Sequence, residues 1–178
     1  MILSGRVWKF GDQLRSSHFL SGKHDALGRA GKFEQLSRHV LEDADPAFVD
    51  QVRPGDLLVV GTAFGTGKHL DGLIHAFRTL GIAAILGKGF SAAWERDSIN
   101  LGLPALAYPE LYEHVQTGDE LQLDLRGTLA RNLSRGTTIA VHATDAGLLA
   151  LLEAGGIAAY TARRLGIVDR PKAGAHTA

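Results

Sequence analysis

The order of apolar segments predicts an α/β fold built on parallel strands, and three observations carry that expectation. Residues 57–60, LLVV, form a continuous apolar run bounded by Pro54-Gly55-Asp56 and Gly61, as a strand buried on both faces does. Leu70, Leu73, Ile74, Phe77 and Leu80 then keep the i, i+3, i+4, i+7 spacing of an amphipathic helix. Two more apolar runs, residues 82–86 and 103–107, flank a polar stretch that Ser91 can cap as a helix to about Asn100. Strand, helix, strand, helix, strand in this order favours parallel pairing through right-handed crossovers.

Ahead of that unit, residues 3–10 read as a short strand closed by the turn pair Gly11-Asp12. Residues 13–32 are polar, contain His and Gly and keep no period, so a long loop of functional type is expected. Phe33, Leu36, Val40 and Leu41, then Phe48, Val49 and Val52, fit two short helices split near Pro46. Gly81 is a natural stop for the helix after the glycine loop. Beyond Tyr108 the pattern changes to short strands, at residues 120–125 and 137–142, with turn chemistry over 132–136. Asp145 can cap a last helix running to Ala154, ended by Gly155-Gly156 and followed by a short ARRLG segment. There are no internal repeats, so one domain over residues 1–170 is expected, with 171–178 a flexible tail.

Composition narrows the functional classes. The 178 residues carry 19 basic and 19 acidic side chains, so no basic field points to nucleic acid or an anionic membrane. The absence of cysteine excludes disulfides, thiol nucleophiles and thiolate-bound clusters on this chain. The N-terminus lacks the pattern of a signal peptide and no apolar run is long enough to span a bilayer, so the cytoplasm is the expected compartment. His24, His39, His75, His114, His142 and His176 show no paired ligand spacing, and no metal site is expected.

Residues 64–72, FGTGKHLDG, lie between a strand and a helix start, where backbone N–H groups converge on anions. A phosphate loop requires G-x-x-x-x-G-K-[ST]. Here the first position is Thr62 and the last His69, which leaves only Gly67-Lys68 in agreement.

Taken together, GRVWKFGD (5–12), LEDADPAF (41–48), PGDLLVVG (54–61), FGTG (64–67), INLGLP (99–104) and LLEAGGIAAY (151–160) resemble the small subunit of 3-isopropylmalate dehydratase. That subunit is the separate-chain form of the aconitase swivel domain. The resemblance spans nearly the whole chain in order and implies a three-layer β/β/α swivelling domain that closes over a large subunit. It further implies that a [4Fe-4S] cluster resides in that large subunit, ligated by the partner's own cysteines, with no cofactor bound by this chain. The implied chemistry is reversible dehydration of a hydroxy acid, with cluster iron as Lewis acid on the leaving hydroxyl. In relatives the small-subunit loop F-G-C-G-S-S-R-E-H supplies a serine base and a carboxylate-binding arginine.

Three segments depart from the family pattern. In the loop, Thr66 stands at the cysteine, Lys68 at the catalytic serine, His69 at the second serine, Leu70 at the arginine, Asp71 at the glutamate and Gly72 at the histidine. Upstream, Arg15-Ser16-Ser17-His18-Phe19-Leu20-Ser21 replaces N-T-D-x-I-I-P, with Ser17 at the aspartate. Downstream, Gly89-Phe90-Ser91-Ala92 replaces S-F-A-R. Scaffold motifs are kept while the substrate-facing positions are changed.

The candidate catalytic residues are therefore Lys68 and His69. Lys68 is a base if desolvated or a point charge for a carboxylate or phosphate, and otherwise a solvated loop lysine. His69 suits proton transfer near neutral pH, against the plain alternative of a structural histidine. Ser17, His18, Gly65, Thr66 and Gly67 are the expected substrate contacts by family position. Ser17-His18 has no identifiable third member, so no nucleophilic triad is expected. Lys23, Arg29 and Lys32 either replace the missing arginine or form a solvated basic loop, and Phe90 and Trp94 read as core. The leading expectation is a hydro-lyase small subunit, inactive alone, with altered substrate or chemistry. The alternatives are a non-catalytic regulatory or scaffolding paralogue and a self-sufficient nucleotide- or phosphate-binding domain.

Overall fold

A computed structural model describes residues 1–167, so the expected tail at 171–178 lies outside the described residues. Among the described residues seven strands are ordered β4-β3-β2-β1-β5-β6-β7: β1 (Ile2–Lys9), β2 (Leu57–Val60), β3 (Ala84–Gly87), β4 (Ala105–Ala107), β5 (Glu120–Asp124), β6 (Leu129–Asn132) and β7 (Thr137–Ala140). The first four pair in parallel, as the strand–helix alternation requires, and the last three pair antiparallel. β1 belongs to both halves. Its Val7, Trp8 and Lys9 pair in parallel with β2, and residues 2–6 pair antiparallel with β5. Gly5 sits near the switch, where an added Cβ would run into the Gly55 carbonyl.

Strand alternation sorts side chains into two cores and so makes three layers. Leu58, Val60 and Ile85 face the helices and pack with Leu36, Leu73, Ile74, Phe77 and Trp94. Leu57, Val59, Ala84 and Leu86 face the other way, onto Leu121, Leu123, Ala130 and Ile139 of the antiparallel half. Both faces of β2 are buried, which is why its sequence is apolar without alternation. Complete burial of each such side chain contributes about 2 kcal/mol.

The helices are α1 (Ser16–Phe19), α2 (Asp25–Arg29), α3 (Phe33–Ser37), α4 (Phe48–Gln51), α5 (Leu70–Thr79), α6 (Ala92–Asn100), α7 (Pro109–Tyr112), α8 (Ala146–Ala154) and α9 (Ile157–Arg164). Ser91 accepts the Trp94 N–H at the start of α6, and Asp145 accepts N–H bonds from Gly147 and Leu148 at the start of α8. α8 ends on Gly155 in the left-handed conformation.

Four expectations need correction. Residues 13–32 are not one long loop, since they hold α1, a 3₁₀ turn (Gly22–His24) and α2, each too short to show a period. α1 is held by Phe19, which is buried and meets the rings of Phe10, Phe64 and Phe77 edge-on. β6 was not expected because only Ala130 is an inward apolar residue; its other inward residue, Asn132, is buried and donates to Asp119 at 2.8 Å. The ARRLG segment is the end of α9, a helix with no buried residue and hence no apolar stripe, and α7 occupies one turn opened by Pro109. Among the described residues no helix is long and apolar enough to cross a membrane.

Candidate functional site

The glycine loop leaves the end of β2 and is stitched on both sides. On one side Gly65 N–H donates to the Leu14 carbonyl at 2.9 Å, Ser16 N–H to the Thr66 carbonyl at 2.9 Å, and Ser16 Oγ to the Lys68 carbonyl at 3.1 Å. On the other, Phe64 N–H donates to Gly89, Ser91 N–H to Phe64, and Ser91 Oγ to Gly65 at 2.8 Å. The fold thus brings together the three segments whose sequences depart from the family pattern. Two glycines make this close approach possible. Gly65 (φ +78°) lies against the Trp94 ring and Gly67 (φ +124°) against Ser16 Oγ, leaving no room for a Cβ at either.

A cavity of about 260 Å³ opens between this loop and the first segment; its wall includes Arg15, Ser17, Asp25, Gly67, Lys68 and His69. Of the expected residues, Lys68, His69, Ser17 and Gly67 line it. Gly65, Thr66 and His18 do not. Gly65 is covered by Trp94, Thr66 is exposed and contributes its carbonyl to Ser16, and His18 Nδ1 accepts the Arg15 N–H at 3.1 Å, closing the first turn of α1. Leu70, at the family's arginine position, is buried in the helix-side core and presents nothing to the cavity.

His69 adopts the left-handed conformation (φ 56°) at the start of α5, which costs a non-glycine residue about 1 kcal/mol or more. Its Nε2 lies 3.2 Å from Asp25 Oδ2, and the Asp25 side chain is half-buried. The pair is close enough for charge attraction but is not aligned as a hydrogen bond, so the carboxylate acts on the ring electrostatically, favouring a hydrogen on Nε2 and leaving Nδ1 of the neutral ring as the proton acceptor. Arg15 and Lys68 stand on the same wall, and among the described residues neither has a carboxylate within salt-bridge distance. The wall therefore offers one imidazole beside a carboxylate and two uncommitted cations. That arrangement can take a proton from an anionic ligand while holding its charge.

Sequence reasoning missed Arg15 and Asp25. Arg15 is adjacent to Ser16-Ser17, and that adjacency was the available signal; Asp25 is 44 positions from His69 and gave none. Of the basic residues in the first loop, Lys23 pairs with Glu42 (2.7 Å) and Asp43 (3.2 Å), Lys32 does not line the cavity, and Arg29 lines a smaller adjoining one that shares Asp25 and His69. Two other histidines pack on aromatic rings, His75 on Phe33 and His142 on Tyr108. His24 and His39, by contrast, meet on one carboxylate, which ligand spacing along the chain could not reveal.

No family model matches the chain. Whole-chain comparison with curated proteins does find relatives. It is 36% identical over 160 residues to 3-isopropylmalate dehydratase small subunit 2 of Archaeoglobus fulgidus, covering 90% of this chain and 94% of that one. It is 35% identical to small subunit 1 of the same enzyme from Thermotoga maritima (89% and 94% covered) and 34% identical to the methanogen homoaconitase small subunit of Methanothermobacter thermautotrophicus (88% and 88%). Its backbone superposes on the crystal structure of 3-isopropylmalate dehydratase from Methanocaldococcus jannaschii with a TM-score of 0.82 at 27% identity, covering 94% of this chain and 97% of that one. On sequence and on three-layer architecture alike, the chain belongs to the 3-isopropylmalate dehydratase small-subunit family.

Proposed function

We propose that this chain is the small subunit of a hydro-lyase acting on a hydroxy acid, with proton transfer moved from a loop serine to His69. The observation that carries the reading is the Asp25–His69 contact on a cavity wall that also holds Arg15 and Lys68. Arg15 and Lys68 bind substrate carboxylate, Arg15 in place of the arginine that Leu70 displaces. His69 Nδ1 takes the proton from the carbon next to that carboxylate, and the C–H electrons form the double bond as the hydroxyl leaves the adjacent carbon. The Asp25 charge favours the tautomer with its hydrogen on Nε2 and stabilises the imidazolium that results. Rehydration reverses each step.

This chain has no cysteine, so a [4Fe-4S] cluster does not fit its own residues and belongs to a large subunit. When bound there, such a cluster supplies a Lewis acid for the departing hydroxyl. The chain alone is then inactive and co-purifies with a cysteine-bearing partner.

The test is dehydratase turnover of the reconstituted pair. His69→Asn lowers kcat by about a hundredfold or more and Asp25→Asn by about tenfold with KM little changed, whereas Arg15→Met raises KM. Full activity in His69→Asn overturns the assignment. A second reading, a non-catalytic regulatory or scaffolding subunit, is favoured by the missing serine and arginine. It predicts no turnover in the native pair, and activity only when Lys68→Ser and Leu70→Arg are combined.

A further inference from the structure

Outside the cavity, His24 at the end of the 3₁₀ turn, His39 just beyond α3, and Glu42 converge. His24 Nε2 lies 2.6 Å from Glu42 Oε1 and His39 Nδ1 lies 2.6 Å from Oε2, with the two rings stacked at 3.7 Å and 13°. The donor atoms all fall within 4.8 Å of one another. The three side chains are partly buried, at 16%, 34% and 24% exposure, so they are shielded yet reachable. Lys23 Nζ also sits on Oε1, at 2.7 Å, so the cluster already holds a positive charge against the carboxylate.

We propose that His24, His39 and Glu42 form a binding site for a borderline divalent transition-metal ion of the zinc class. Two imidazoles and one carboxylate are a donor set suited to zinc, with the fourth position left to water, and are poorly suited to calcium or magnesium, which want oxygen. The ring nitrogens now point side by side onto one carboxylate. Convergence on one ion at about 2.0–2.1 Å needs one ring to tilt, and His39, the more exposed, has the freedom to do so. The ion displaces the Lys23 ammonium, which keeps its second partner, Asp43 at 3.2 Å. Because His24 directly precedes Asp25, the ion ties the cavity wall to the segment after α3. The site does not depend on the proposed proton transfer.

The test is titration of the metal-free full-length chain with Zn²⁺ by calorimetry and with Co²⁺ by visible absorption. One ion per chain at micromolar affinity, with a four-coordinate Co²⁺ band, is expected. His24→Gln and His39→Gln, which keep a hydrogen bond to Glu42, each weaken binding about tenfold or more. Lys23→Met removes the competing cation and strengthens binding severalfold. Absence of binding at millimolar ion, or unchanged affinity in both glutamine variants, overturns the proposal. Should those variants fail to fold by circular dichroism, Lys23→Met decides: affinity no tighter than native overturns it.

Discussion

The parallel and antiparallel halves of the sheet are anchored alike and finished differently. Each has one buried aspartate at a turn. Asp56, at the entrance to β2, accepts from Trp8 Nε1 (2.7 Å), Arg6 (3.1 Å) and Arg53 N–H (3.0 Å). Asp119, at the entrance to β5, accepts from Asn132 (2.8 Å), Arg135 (2.8 Å) and Gln116 N–H (2.9 Å). Burial raises the Asp119 carboxyl, but these three donors outweigh it and hold it below the ordinary value. The loops differ. Among the described residues, every non-glycine residue in the left-handed region, Gln13, Leu41, Ala63 and His69, lies in the first 69 positions, whereas the antiparallel half turns on glycines such as Gly118 and Gly136. Backbone strain has collected in the loops of the parallel half, one instance of it, His69, on the cavity wall, and the described part of the other half is built without it.

The largest test of this contrast removes the shared device. Asp56→Ala leaves the Trp8 Nε1 donor buried and unpaired, takes the acceptor from Arg6 and the Arg53 N–H, and costs about 3–4 kcal/mol in urea unfolding. Asp119→Ala costs nearly as much, about 3 kcal/mol, within a single transition; a separate transition for the antiparallel half would break the picture of two halves joined as one unit. Next, Gly65→Ala drives a Cβ into Trp94 at a left-handed position, and a loss of about 2–3 kcal/mol is expected by the same measurement. A smaller change of opposite sign sharpens the contrast: His69→Gly relieves the left-handed residue and stabilises by about 1 kcal/mol while turnover falls. Smallest is the acid response of the first loop. Lys23, then the His24 and His39 rings, hold the Glu42 carboxyl at about 2 against an ordinary 4.5. Its folded pKa is depressed, so its contribution is complete above pH 4.5 and is lost as pH falls toward 2. Glu42→Gln should flatten that part of the acid unfolding curve.

Those elements that carry their own reason were legible in the sequence. β2 announces itself by four consecutive apolar residues, α5 by its apolar stripe, and α6 and α8 by caps at Ser91 and Asp145. Elements that borrow stability from elsewhere were not. α1 exists because Phe19 is seated among distant rings, and β6 because its edges are paired on both sides. The cavity divides in the same manner. Lys68, His69 and Ser17 were visible through position in a known pattern, whereas Asp25 enters only through a contact made after folding. His24, His39 and Glu42 are three unremarkable positions until a turn and a helix bring them together.

β1 has one more consequence, in time. It pairs with β2 about fifty residues on and with β5 well over a hundred residues on, so during synthesis it is held at both edges only after residue 124 has emerged. Until then its antiparallel edge is unpaired and open to any passing strand. Slow synthesis between β2 and β5 should therefore reduce soluble yield far more than the same change placed after α9.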